Sequence, residues 1–221
     1  TVWQVAEQLA LLPPLKHIGL DGLPIRQKDF LDAIEDGLFD GVRSLEIRNC
    51  PLRTQTFEPL IERLAEREAL ADLEELRFHN CNIKSKHLEM LCESSLPERL
   101  RVLGLSNNTS LKTAGAKVLL PSLPKFAKLE RLLLEDTGLN NAAAKLIASA
   151  TLPQTLTHIG LGGNKLKAAG LKALAKVGRA RMLADRTGEH ALNTAYFAFD
   201  DASLRACLED GMLDDVARWE M

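Results

Sequence analysis

Residues 129–139 read LERLLLEDTGL, and this stretch decides the architecture. Leu129, Leu132 and Leu134 alternate with Arg131, Leu133 and Glu135. That period-two pattern describes a short strand with one apolar face. Thr137 and Leu139 then continue an apolar line past the end of the alternation. Written as a template, the stretch is L-x-x-L-x-L-x-x-Z-x-L.

Five further stretches fit the same template. They are LKHIGLDGLPI from Leu15, VRSLEIRNCPL from Val42, LEELRFHNCNI from Leu73, LRVLGLSNNTSL from Leu100 and LTHIGLGGNKL from Leu156. The intervals between starts are 27, 31, 27, 29 and 27 residues. The fourth stretch holds one extra residue before Leu111. One match in a leucine-rich chain means little, but six in register define an internal repeat, the feature to seek before any secondary structure. The Z position holds Leu23, Cys50, Cys81, Asn108, Thr137 and Asn164. A side chain turned inward there forms a structural ladder, where a buried Asn bonds the backbone of the turning chain.

The second half of each repeat is helical in pattern. Ala143, Leu146, Ile147 and Ala150 recur at i, i+3, i+4 and i+7. In the last repeat Ala169, Leu171, Leu174 and Val177 precede Gly178, a helix stop. Among Glu62, Arg63, Glu66 and Arg67, Arg63 and Glu66 place opposite charges three apart on one helix. Pro97, Pro121, Pro124 and Pro153 are read as closing helices ahead of the next strand.

These motifs resemble leucine-rich repeats of the ribonuclease-inhibitor-like subtype, over about residues 1–178. The repeat length near 28, the Asn, Cys and Thr residues at Z and the helical half carry the resemblance. It implies an α/β solenoid, a horseshoe with a parallel β-sheet on the concave face and helices on the convex face. The physics points the same way. One strand and one helix cannot bury an apolar face alone, so the units stack. A helix is about 10 Å wide and a strand spacing about 4.8 Å, so the stack curves with its strands inside.

The ends depart from the period. Residues 1–14, with Trp3, Val5, Ala6, Leu9 and Leu12, read as the helical half of a preceding repeat or as an N-terminal cap. A seventh strand near Leu183 would bury Arg186 and Gly188, so residues 179–221 read as a C-terminal capping segment with an amphipathic helix. That helix would carry Leu204, Cys207 and Leu208, then Leu213, Val216 and Trp219.

Strand alternation assigns the side chains of the concave face. One column holds His17, Ser44, Glu75, Val102, Arg131 and His158. The central column holds Gly19, Glu46, Arg77, Gly104, Leu133 and Gly160. The next holds Asp21, Arg48, His79, Ser106, Glu135 and Gly162, and a rim column holds Gly22, Asn49, Asn80, Asn107, Asp136 and Gly163. Charged ridges would alternate with shallow gaps above the glycines. Glu46 would pair with Arg77 across neighbouring strands. The candidate partner-binding residues are His17, Asp21, Glu46, Arg48, Glu75, Arg77, His79, Arg131, Leu133, Glu135 and His158.

Composition bounds the function. The 221 residues carry 28 Lys and Arg against 30 Asp and Glu, a formal net charge of -2, which argues against a dedicated nucleic-acid binder. No run of 18 apolar residues suits a membrane span, and no signal peptide is visible, so a cytoplasmic or intracellular setting is expected. Cys50, Cys81, Cys92 and Cys207 form no CxxC pair and stand at no zinc-finger spacing from a histidine, so reduced buried thiols and no metal are expected. No phosphate-binding loop, GxSxG, HExxH or EF-hand motif occurs, so neither a cofactor nor catalysis is expected. The resemblance implies instead a protein-interaction module in a larger protein, with another protein as partner. Its relatives serve in immune receptors, ubiquitin-ligase receptors or bacterial effectors. Two other roles of such repeats stand as alternatives: wrapping an enzyme as its inhibitor, against which a short arc and a face neither strongly acidic nor basic speak, and activating a small GTPase, for which no residue here matches a position at the nucleotide.

Overall fold

The computed structural model describes residues 15–22, 27–66, 68–167 and 169–174. The expectations for residues 1–14 and 179–221 and for Leu23 lie outside them. Strands and helices alternate along the chain. They are β1 (His17–Asp21), α1 (Gln27–Glu35), β2 (Ser44–Arg48), α2 (Thr54–Glu66), β3 (Glu75–His79), α3 (Ser85–Glu93), β4 (Val102–Gly104), α4 (Lys112–Ser122), β5 (Arg131–Leu133), α5 (Asn141–Ser149) and β6 (His158–Gly160). Each strand begins two residues after the start of a sequence repeat.

The six strands form one parallel sheet in chain order, β1 to β6. The register joins template positions: His17 faces Ser44, Ser44 faces Glu75, Glu75 faces Val102, Val102 faces Arg131 and Arg131 faces His158. The ladder reaches one residue before the strands, where Glu74 N–H donates to Arg43 O at 2.9 Å and Glu130 N–H to Arg101 O at 2.8 Å. Helix-to-strand turns close alike, as Val42 N–H donates to Phe39 O and Leu129 N–H to Phe126 O, both at 3.1 Å.

One core runs the length of the stack between sheet and helices. Leu45, Leu76, Leu103 and Leu132 reach it from the strands and are at most 1% exposed. α2 contributes Phe57, Leu60, Ile61 and Leu64, a spacing that puts all four on one helical face. α5 contributes Ala143, Ala144 and Ile147, and its N-terminus is capped by Asn140, whose Oδ1 accepts from Ala142 N–H at 3.0 Å and Ala143 N–H at 3.2 Å.

Two local expectations are corrected. Arg63 pairs with Glu35 of α1 at 3.1 Å, between repeats rather than along its own helix. Pro121 sits inside the last turn of α4, and Pro97 and Pro124 lie in the short 3-10 turns Leu96–Glu98 and Leu123–Lys125. Among the described residues no helix is long and apolar enough to cross a membrane.

The candidate functional site on the open face of the sheet

The strands turn one face to the core and leave the other open. β1 shows it plainly, with Ile18 and Leu20 buried and His17, Gly19 and Asp21 exposed. The register places ten of the candidate residues on this open face, His17, Asp21, Glu46, Arg48, Glu75, Arg77, His79, Arg131, Leu133 and His158, and Glu135, just past β5, reaches it with its carboxylate over Gly160.

What the side chains do there differs from a row of ridges and gaps. The charges pair within strands. Arg48 Nε lies 2.8 Å from Glu46 Oε1 and its NH2 donates to Oε2 at 2.9 Å, a bidentate pair. Arg77 NH1 donates to Glu75 Oε2 at 2.6 Å and to Ser44 Oγ at 3.2 Å, and Ser44 Oγ donates to the same carboxylate at 2.9 Å. Residues two apart on a strand share a face, so this pairing competes with the cross-strand one and wins here. Partial burial pushes the Glu75 pKa upward, but the hydrogen bonds from Arg77 and Ser44 and the charges of Arg77 and His17 outweigh it and hold the carboxyl below its usual range.

Two of the three central glycines are roofed rather than open. A β-carbon at Gly104 would sit 2.8 Å from Arg77 Cγ, and one at Gly160 would sit 1.9 Å from Glu135 Oε1. Glu135 is itself held by Ser106 Oγ at 2.5 Å. Only Gly19 has nothing within 4 Å.

The rim column obeys the backbone. Gly22, Asn49, Asn80, Asn107, Asp136 and Gly163 all have positive φ, between 51 and 66°. Asn, Asp and Gly tolerate that left-handed region best, so the turn geometry accounts for the column. Its side chains are linked as well: Asn49 Nδ2 donates to Asp21 Oδ1 at 2.7 Å, and Asn80 Nδ2 to Asn49 Oδ1 at 2.8 Å. Asn107 Nδ2 donates to His79 Nε2 at 3.1 Å.

Three neighbouring side chains have no such obligations. Arg131 is exposed and makes no ion pair among the described residues. Leu133, half-buried, faces away from the core. His158 stands beside Arg131, and burial first, then the Arg131 charge, lowers its pKa against the pull of Glu135. The open face therefore has a self-satisfied half on β2 and β3 and an uncommitted patch on β5 and β6.

Beneath the face runs the Z ladder. Asn108 Oδ1 accepts from Cys81 N–H at 3.0 Å and Ile83 N–H at 2.9 Å, and its Nδ2 donates to Phe78 O and Leu105 O, both at 2.7 Å. Asn164 repeats this on the next turns, accepting from Thr137 N–H at 3.1 Å and Leu139 N–H at 2.9 Å. Where Z is Cys81 or Thr137, the main-chain carbonyl accepts instead, from Leu52 N–H and Lys112 N–H, both at 2.9 Å. Cys50, Cys81 and Cys92 are buried, and burial raises the Cys81 thiol to about 11. Cys207 lies outside the described residues.

This is a strand-and-helix unit of about 28 residues, with buried leucines on the strand and an inward Asn, Cys or Thr after it. The repeats are leucine-rich repeats. A curated protein similar in sequence, NACHT, LRR and PYD domains-containing protein 14 of Mus musculus, is 32% identical over 162 residues. The match covers 70% of this chain, which spans 16% of that protein's length. A solved structure from yeast, the Rad7 and Elc1 complex, contains a chain that aligns with 89% of the leucine-rich repeat chain and 52% of its own length, at a TM-score of 0.48 and 15% identity. No family model matches.

Sequence reasoning missed one residue of consequence. His87 is 1% exposed. Its Nδ1 accepts from Lys84 N–H at 3.1 Å, which leaves Nε2–H to donate to Thr54 Oγ1 at 3.2 Å, and its ring packs 4.8 Å from that of Phe57. Burial, then the Lys84 charge, lowers its pKa. The signal was available: His87 is four residues before Leu91, on the buried side of α3.

Proposed function

We propose that this chain is a protein-interaction module, without catalytic activity of its own, that binds a partner protein through the open face of its sheet. In this reading the face is the concave side of a horseshoe of the ribonuclease-inhibitor-like subtype, working in the cytoplasm as the recognition part of a larger protein. The observation that carries it is the division of the face. Side chains on β2 and β3 are fixed by one another, which lowers the entropy lost on docking. Beside them Arg131, Leu133 and His158 offer a cation, an apolar side chain and an imidazole not spent on the chain itself. Arg and apolar side chains next to preorganised polar groups suit recognition of a protein surface. The similarity to a much longer protein whose name includes an LRR domain supports the role of a part within a whole.

The test uses two baits in cell lysate, the chain and its Arg131→Glu/Leu133→Asp variant. These exposed or half-buried positions spare the core and the β2–β3 network. A partner held by the first bait and lost from the second supports recognition through this patch. Equal capture by both contradicts it.

A further inference from the structure

Each strand-to-helix turn ends on a buried residue: Leu52, Ile83, Leu111, Leu139 and Leu166. The residue that follows is Arg53, Lys84, Lys112, Asn140 or Lys167, and all five are exposed. Hydrogen bonds between successive turns keep these positions in one row. Thr54 Oγ1 meets His87 Nε2 at 3.2 Å, Thr113 Oγ1 donates to Asn140 Oδ1 at 2.9 Å, and Lys167 N–H donates to Asn141 Oδ1 at 2.8 Å. Lys86 and Lys165, also exposed, flank the row. In sequence Arg26 holds the same template position, outside the described residues.

The row is cationic against the composition of the chain. Residues 51–55, 82–86, 109–114, 138–142 and 165–167 contain six Lys and Arg and no Asp or Glu, in a chain with 30 carboxylates. The opposite edge, residues 36–43, 68–74, 93–101 and 123–130, contains eight carboxylates among five Lys and Arg. Helix stability does not explain the row. The first turn of a helix favours negative charge, yet α2, α3, α4 and α5 have no acidic residue there. Nor does internal pairing explain it, since Arg53, Lys84, Lys112 and Lys167 make no ion pair among the described residues. Four registered cations, Arg53, Lys84, Lys112 and Lys167, that break a local rule without internal compensation mark a surface kept for another purpose, while Asn140, in the same row, caps its helix.

We infer that this edge docks an extended acidic segment of a partner polypeptide, a surface separate from the open face of the sheet. Neighbouring turns lie between the strand spacing of about 4.8 Å and the helix packing distance of about 8–10 Å. Carboxylates on one side of an extended chain recur about every 6.8 Å, within that range. Two observations favour a polypeptide over a nucleic acid. The row contains no aromatic side chain on which a base would stack. Asp21, Glu135 and Asp136 lie on its strand side, where they repel an unbroken line of phosphates more than they repel spaced carboxylates.

The test measures anisotropy of a fluorescein-labelled poly-glutamate peptide with the whole chain at low ionic strength. An Arg53→Gln/Lys84→Gln/Lys112→Gln/Lys167→Gln variant removes the row. An Arg43→Gln/Lys117→Gln/Lys128→Gln/Lys145→Gln variant removes as much charge elsewhere. The expected result is salt-sensitive binding that the first variant weakens by about tenfold or more and the second by less than about twofold. Thermal unfolding of the first variant should be no lower than that of the parent, because its cations oppose the helix dipoles. The Arg131→Glu/Leu133→Asp variant should bind the peptide like the parent, so this inference and the open-face reading fail separately. No binding, equal loss in both charge variants, or tighter binding of a thymidine oligonucleotide of equal charge through the same row would each overturn the inference.

Discussion

Arg77 lies over Gly104. The two are register partners on β3 and β4, and a β-carbon at position 104 would meet Arg77 Cγ at 2.8 Å, Cβ at 3.1 Å and Cα at 3.4 Å. Glu135 lies over Gly160 in a different way, since only its carboxylate end stands within 3.0 Å of the equivalent point. The end of a flexible side chain can swing aside, whereas Arg77 Cβ is fixed by the main chain and the close Cγ next to it can move only by a change of χ1. Gly104→Ala should therefore destabilise the chain more than Gly160→Ala, by about 2 against about 1 kcal/mol. Urea unfolding measures both. Arg77→Ala combined with Gly104→Ala should cost less than the sum of the two, since each removes the other's obstacle. Additive effects would show that Arg77 does not occupy this place in solution.

Asn108 satisfies the main chain of two repeats at once. Asn108→Ala leaves Cys81 N–H and Ile83 N–H buried without their acceptor and should cost on the order of 3–4 kcal/mol in urea unfolding. Cys81→Ala loses only weak thiol donation to Ile47 O and His79 O, at 3.1 and 3.3 Å, and should cost about 1 kcal/mol. A reversed order would refute the ladder as the source of this stability.

His87 makes the fold sensitive to acid. Its neutral ring accepts at Nδ1, and its folded pKa is lowered. The unfolded chain therefore takes up the proton first. The stability it gives is complete above the unfolded value near 6.5 and is lost as pH falls through the folded pKa. His158 acts with the same sign. Urea midpoints between pH 7.5 and 5 should fall with pH. They should fall less steeply for His87→Phe, which itself should be about 1–2 kcal/mol less stable at pH 7.5. An unchanged slope would assign the pH dependence to other groups.

The buried cysteines should be inert while the chain is folded. Cys81 stays protonated well above neutrality, and Cys92 is raised by burial too. In a Cys207→Ser background, a thiol reagent at pH 8 should react with Cys50, Cys81 and Cys92 only after denaturant is added. Fast reaction in the native state would contradict their burial.

How far the sequence revealed this structure depends on the physics at each position. Leu129, Leu132 and Leu134 announce a strand because period two is a property of the backbone, and six such strands pair in the order of their repeats. The open face was legible for the same reason. The rim was legible as a list but not as a cause: Asn49, Asn80, Asn107 and Asp136 are the residue types that a left-handed φ selects. Pairing was not legible. Whether Glu46 meets Arg48 or Arg77 depends on rotamers, and the roofs over Gly104 and Gly160 depend on where long side chains fall. The cationic row needs only the alignment of Arg53, Lys84, Lys112 and Lys167 after the last apolar residue of each motif, a column the strand reading passes over.

The central claim is that a partner docks on the open face beside Arg131, Leu133 and His158. Site-specific cross-linking tests it most directly. A photoreactive benzoyl-phenylalanine replaces Leu133 in one chain and Glu62, an exposed residue of α2, in another. After irradiation in lysate, the account predicts a cross-linked partner protein from position 133 and none of that mass from position 62. The same partner cross-linked from position 62 and not from position 133 would contradict it.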